Sequence, residues 1–247
     1  MTFAVLVCSF ATTRFFPTDG DMLPVRLDAR AGISFNWPVT KRGNVTNIVL
    51  AKLRDWSQGK SPLEARISIY NKIRDIPYAI VPELIHHRRY AGILTIGKGS
   101  CTPKHFLLCE MYRKLGITVL YACYPFRWDE VKVDYPPTLK KMARTLPPSY
   151  HVACKAEIDG KMVLIDATLD PAMEHLGLPV NKNWDGISDT LLPIVPCGDE
   201  QLYHPNEASQ IRPSLDSKWQ AFYKELNVWL AEVRKSLLYQ SPNKGYT

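Results

Sequence analysis

The sequence predicts an α+β fold: a helix opening at Cys101, packed on an antiparallel β-sheet, with an amphipathic helix near the C-terminal end. Three observations carry that expectation. Alternating apolar and polar runs flank Asp159-Gly160, the strongest short signal for a two-residue hairpin. The glycine-containing run Gly97-Lys98-Gly99-Ser100 gives way at Cys101 to a helical pattern. Trp219, Phe222, Leu226, Trp229, Val233 and Leu237 recur at a three-four rhythm that puts them on one helix face.

Composition limits the alternatives. The 247 residues are 46% hydrophobic and 22% charged, which is enough apolar material for a buried core and unlike a disordered chain. The whole chain, 1–247, is read as a single domain. Its formal charge of +7 is scattered, and the densest basic cluster is His86-His87-Arg88-Arg89. No comb of Lys and Arg with interleaved aromatics is present, so nucleic acid is not an expected partner. Nor is a membrane, since no later stretch is long and apolar enough to cross one. Cysteines stand at 8, 101, 109, 123, 154 and 197 without a CxxC pair. That spacing argues against structural zinc, and their apolar surroundings favour a reducing, cytoplasmic compartment. The N-terminal MTFAVLVCSFATTRFF has no basic leader, so a buried strand is the first reading and an export signal the weaker one.

The elements follow in order. Residues 1–10 are β-rich (Phe3, Val5, Val7), and 17–60 look like loops around short strands. Residues 44–50 read either as one such strand or as the start of a helix through Trp56. Ser61-Pro62-Leu63-Glu64 combines a capping serine, proline at the first helical position and glutamate at the third. The helix it opens should bury Leu63, Ile67, Tyr70 and Ile73 and stop at Pro77. The helix from Cys101 tolerates Pro103 in its first turn, buries Phe106, Leu107, Met111 and Leu115, and ends at Gly116. Ile117–Tyr124 is a strand. From His151, Val152, Cys154, Ala156 and Ile158 face one way, and Lys161–Asp166 returns after the turn. Counted back from the turn, Ile158 pairs with Lys161 and Ala153 with Asp166, which brings the side chains of His151 and Asp166 within reach. Residues 173–213 read as extended loops packed on the core. These loops, Trp128 and the 135–148 segment are read first as surface connections and second as borders of a cleft. The C-terminal helix is read as packing on the body of the domain.

These placements put a cysteine where chemistry is available. Unpaired N–H groups and the positive end of the dipole at a helix start favour thiolate over thiol, with Lys104 one turn on expected to add to the effect. The same N–H groups can hold an oxyanion. A histidine then serves as base and acid, and a carboxylate fixes its tautomer. Cys101, His151 and Asp166 are the residues in those roles.

Gly99-Ser100-Cys101-Thr102-Pro103-Lys104, with Leu107 and then Leu115-Gly116-Ile117, resembles the nucleophile helix of the transglutaminase-like superfamily. Tyr150-His151-Val152, Glu157, Asp159-Gly160 and Leu164-Ile165-Asp166-Ala167-Thr168 resemble its histidine strand, hairpin and aspartate element. Ile73-Arg74-Asp75-Ile76-Pro77-Tyr78 resembles the helix end that precedes its core. The resemblance spans roughly residues 60–172, which makes 1–59 and 173–247 embellishments. Thr102-Pro103 stands where the family commonly has a polar pair, and Val152-Ala153 where it often has Ala-Trp. Tyr78 and Tyr90 are the candidates for an oxyanion side chain, and Ser100, Thr102 and Lys104 for lining the site. The Arg-Gly-Gly-x-Cys signature of arylamine acetyltransferases and the CxxC pairs of peptide N-glycanases are absent.

The resemblance implies the cysteine-proteinase core and a cysteine protease or amidase that opens an amide bond of a peptide or protein through a thioester. Hydrolysis is favoured over crosslinking, and no cofactor or metal is implied. Two other readings compete: a peptide- or protein-binding module with an idle triad, and an assembly protein that docks through its C-terminal helix.

Overall fold

The computed structural model describes residues 44–211 and 216–240. The strand and loops expected over residues 1–43 lie outside these residues. Residues 44–50 take the helical alternative, as the start of α1 (Asn44–Ser57). Helix α2 (Pro62–Arg74) begins with the complete capping box read from the sequence: Glu64 N–H donates to Ser61 Oγ, and Ser61 N–H donates back to the Glu64 carboxylate. Its buried face differs from the one expected. Ala65, Ile69, Tyr70 and Ile73 are buried, whereas Leu63 is 41% exposed. Leu63 and Ile67 face the loop at Gly186 instead, to whose carbonyl Arg66 donates at 2.8 Å.

A short helix, α3 (Ile93–Ile96), leads through Gly97–Ser100 into α4 (Cys101–Lys114). Gly99 is required there, because a Cβ would stand 2.7 Å from Ile93 Cγ2. Helix α4 is the central element, and nearly all of its residues between Thr102 and Tyr112 are buried. It packs on a four-stranded antiparallel sheet of order β3-β2-β1-β4. The strands are β1 (Val119–Phe126), β2 (Ser149–Ile158), β3 (Lys161–Ile165) and β4 (Gln201–Tyr203). At the β2–β3 turn, Asp159 and Gly160 both have positive φ (51° and 77°), the backbone of a type I′ hairpin. The register runs from Ile158–Lys161 to Cys154–Ile165, as counted from the turn.

Two large apolar clusters and a small one, of Ala122, Tyr124 and Ala153, organise the described residues. One large cluster joins α1, α2, α4 and the facing side of the sheet. The other large cluster gathers Phe126, Trp128, Tyr135, α5 (Pro137–Ala143), Leu169 and Met173 around α6 (Ser217–Gln240), which contributes Trp219, Phe222, Leu226 and Leu230. Two hydrogen bonds link Asn227 of α6 to the backbone of Ile80. The chain is therefore α+β, with an antiparallel sheet, a buried helix starting at Cys101 and a packed C-terminal helix.

Candidate active site

Cys101 is the first residue of α4, preceded by Ser100 in extended conformation (φ −91°, ψ −174°). Pro103 lacks an amide hydrogen, so the free donors of this turn are the N–H groups of Cys101 and Thr102. The cysteine side is partly exposed, while its neighbours Ser100 and Thr102 are buried. Thr102 Oγ1 lies 3.8 Å from the sulfur.

His151 is the third residue of β2 and stands opposite Tyr124 on β1. It is 3% exposed, and its Nε2 donates to Asp166 Oδ2 at 2.5 Å. That contact leaves Nδ1 as the ring nitrogen available to Cys101, whose charge is near enough to raise the imidazole pKa. Asp166 follows the last residue of β3, and its surroundings hold it in place. Its N–H donates to Thr190 Oγ1 at 2.7 Å, its Oδ1 accepts from Thr168 N–H at 2.9 Å, and its carbonyl accepts from Tyr70 Oη at 3.0 Å. The three residues thus form a chain of contacts from sulfur to imidazole to carboxylate.

Their charges support one another. Burial alone would raise the Cys101 pKa, but the His151 cation, its hydrogen bond and the Val152 N–H hold it below the ordinary thiol value. Burial would lower His151, yet the Asp166 carboxylate and the Cys101 thiolate raise it to about 10. Burial works against the Asp166 charge, and His151 outweighs it, so the carboxyl titrates below its usual range. All three shifts favour a thiolate–imidazolium pair backed by a carboxylate over the neutral thiol and imidazole.

The remaining candidates divide. Tyr78, Ser100 and Thr102 line the same cavity as Cys101 and His151. Tyr90 does not; its ring packs edge-on against Phe106 at 6.1 Å. Lys104 also departs from expectation. Its Nζ turns into the interior and donates to the carbonyls of Arg74 (2.9 Å) and Thr168 (2.7 Å). Residues three apart share a helix face, so it is these two carbonyls, not the helical spacing, that turn Lys104 inward. Burial lowers its pKa to about 7, against the attraction of Asp170 and Asp166.

Sequence reasoning missed two residues. His105 is fully buried one turn after Cys101; its Nδ1 donates to the Cys101 carbonyl at 2.8 Å and its Nε2 accepts the Ala167 N–H at 2.9 Å. Burial lowers its pKa to about 4, so it is neutral. The available signal was its spacing of four from Cys101. Tyr223 of α6 is the other. Burial raises its phenol pKa, and so does the negative charge of Cys101 nearby, as at Tyr78. Both phenols keep their protons. No sequence signal pointed to Tyr223, because 122 residues separate it from Cys101.

The cavity reaches from Cys101 and His151 into the second apolar cluster. Its volume is about 100 Å³. Trp128, Tyr135 and parts of the 169–211 segment form walls, so these stretches border the cleft rather than serving only as surface connections. Among the described residues no group of three His, Cys, Asp or Glu side chains is set to hold a metal ion, the five cysteines are unpaired, and no helix is long and apolar enough to cross a membrane.

No family model matches the chain, and no curated protein matches it. Among solved structures it is similar to the crystal structure of a "putative cysteine protease" from Cytophaga hutchinsonii. The identity is 18% and the TM-score 0.36, over 50% of this chain and 37% of that protein. The chain thus spans little more than a third of that protein's length, and a likeness at this level carries no argument about the site.

Proposed function

We propose that the chain is a cysteine-dependent amidase or protease that opens an amide bond of a peptide or protein substrate through a thioester. The observation that carries this reading is the buried contact of His151 Nε2 with Asp166 Oδ2 at 2.5 Å, which leaves Nδ1 for the nearby Cys101. The Cys101 thiolate attacks the carbonyl carbon, and a C–S bond forms as the carbonyl electrons move onto oxygen. The N–H groups at the start of α4 and the phenol of Tyr78 are the proposed donors to that oxyanion. When the C–N bond breaks, His151 passes its Nδ1 proton to the departing amine. His151 then takes a proton from water as its oxygen attacks the thioester, releasing the acid and restoring the thiolate. Hydrolysis is proposed over transfer to a second amine, as the resemblance to small transglutaminase-like hydrolases suggests.

The test is iodoacetamide alkylation across pH, with the modified cysteine identified by peptide mass mapping, on wild type and His151→Ala. Fast labelling confined to Cys101, persisting well below pH 8 and slowed by the histidine change, is the expected result. Labelling no faster than a free thiol would assign the cavity to binding alone.

A further inference from the structure

Negative charge that forms on a substrate carbonyl beside Cys101 needs donors, and the backbone supplies few. Pro103 has no amide hydrogen, so the first turn of α4 offers the N–H groups of Cys101 and Thr102. No lysine or arginine lines the cavity. Its volume, about 100 Å³, is below that of sites enclosing a whole small ligand, roughly 300–1,000 Å³, and suits the reacting part of a larger substrate. Two phenols line it together with Cys101 and His151: Tyr78 and, from α6, Tyr223.

Hydrogen bonds fix both beside the nucleophile. Ala79 N–H donates to the Gly99 carbonyl at 3.2 Å, and Gly99 N–H to the Pro77 carbonyl at 3.0 Å. These bonds pair Tyr78 with a residue two before Cys101. Helix α6 lies on the same segment. Tyr223, Asn227, Leu230 and Arg234 are spaced by four, three and four, so they share one helix face. Asn227 bonds the Ile80 backbone at 2.9 and 2.7 Å, and Arg234 donates to the Tyr78 carbonyl at 3.1 Å. Tyr223 continues that face to the cavity, its ring set against Trp219 at 5.7 Å. Among the described residues, neither phenol oxygen has a hydrogen-bond partner, and neither is sealed away as Trp128 Nε1 and Thr168 Oγ1 are. Burial raises the pKa of both phenols and the charge of Cys101 raises it further, whereas burial alone raises Tyr135, a third phenol of the cavity.

We infer that Tyr223 is a catalytic residue, a second phenol that donates with Tyr78 to the substrate carbonyl oxygen as it gains charge, so that α6 completes the active site. This rests on the acyl-transfer reading above. As the C–S bond forms, the carbonyl electron pair moves to oxygen, and both phenols donate to it without giving up their protons. The pair returns to carbon when the bond to the leaving group breaks. No protein hydrogen bond has to open before either phenol can turn to that oxygen. A donor that is unengaged in the resting site and engaged as charge develops lowers the barrier rather than merely holding the substrate.

The experiment compares two reactions of Cys101 in the full chain, on wild type and Tyr223→Phe. p-Nitrophenyl acetate acylates the sulfur through a tetrahedral oxyanion, read as p-nitrophenolate release and as an acetyl group on the Cys101 peptide. Iodoacetamide alkylates the same sulfur by displacing iodide at a saturated carbon, with no oxyanion. Tyr223→Phe keeps the ring and its contact with Trp219, and the alkylation rate checks that the thiolate and the fold are intact. The expected result is acylation slowed about tenfold or more, with alkylation within about twofold of wild type; loss of one oxyanion donor typically costs about 10²–10³. A smaller loss of acylation, with wild type acylated at Cys101, overturns the role of Tyr223 and leaves the acyl-transfer reading standing. Alkylation slowed as much as acylation also overturns it, because Tyr223 would then act on the thiolate or the fold. Wild type that is alkylated rapidly at Cys101 but never acylated there overturns the acyl-transfer reading, and the inference with it.

Discussion

His105 accepts the amide hydrogen of Ala167 at 2.9 Å, so one neutral imidazole ties the helix that begins at Cys101 to the segment that carries Asp166. His105→Phe keeps the ring volume but leaves the Ala167 N–H buried without a partner, at a cost of about 1–3 kcal/mol. A second signature separates this from a packing defect. The folded pKa of His105, about 4, lies below its unfolded value of 6.5. Between those values the unfolded chain binds the extra proton, so stability is full above 6.5 and is lost as pH falls toward 4. The slope is as much as about 1.4 kcal/mol per pH unit. Urea titrations across this window should show that slope in wild type, and its disappearance in His105→Phe.

Asp166→Asn preserves an acceptor for His151 Nε2–H but removes the charge. The largest favourable influence on the imidazolium is the Asp166 carboxylate. Its loss lets burial bring His151 down from about 10, and the Cys101 thiolate loses its cation. Amide cleavage should fall roughly 10²–10⁴-fold. The acid limb of Cys101 alkylation should move to higher pH, a readout that a purely structural change would leave in place.

The legible parts of this fold are those set by short sequence distances. The Ser61 capping box, Pro103 in the first turn of α4 and the register counted from Asp159-Gly160 each depend on neighbours a few residues apart. That register brings His151 to Asp166. What could not be read depends on packing between distant segments. Leu63 has helical spacing with Tyr70, but the core takes Ala65 and Ile69 while Leu63 meets the Gly186 loop. Lys104 looks like a second cation for the thiolate until the carbonyls of Arg74 and Thr168 are seen to claim it. The cavity needs α6 to fold back on residues near 78 and 130, and no local pattern encodes that return.

Lys104→Met should destabilise the chain by an amount that grows with pH. The folded pKa of Lys104, about 7, lies below the unfolded 10.5. Between those values the unfolded chain holds a proton that the folded chain has lost, so Lys104 contributes stability that rises with pH. Cys101, also lowered, acts in the same direction, and His151, raised to about 10, acts in the opposite one. The difference between wild type and Lys104→Met isolates the lysine. It should start at about 1 kcal/mol or more at pH 7, from the two carbonyls left without donors, and widen toward pH 10. A gap that stays constant across this range would mean that Lys104 keeps its ordinary basicity.

Arg234 of α6 couples the helix to the cavity wall. Its Nη2 donates to Asp170 Oδ2 at 2.6 Å and to the Tyr78 carbonyl at 3.1 Å. Asp170 Oδ2 also accepts the Tyr78 N–H at 2.6 Å, and the Asp170 side chain is 6% exposed. Arg234→Met therefore strands a buried carboxylate beside the segment that carries Tyr78, at a cost of roughly 1–3 kcal/mol. Asn227 and the apolar face of α6 still hold the helix to Ile80, so the wall loosens without leaving. Because α6 forms one side of the cavity, amide turnover should fall several-fold more than the rate of Cys101 alkylation by iodoacetamide. Asp170→Asn, which keeps an acceptor for Tyr78 N–H, should reproduce the smaller part of that change. Equal losses in turnover and in alkylation would place the effect of Arg234 in overall stability, and the thermal midpoints of the two variants would then rank with their activities.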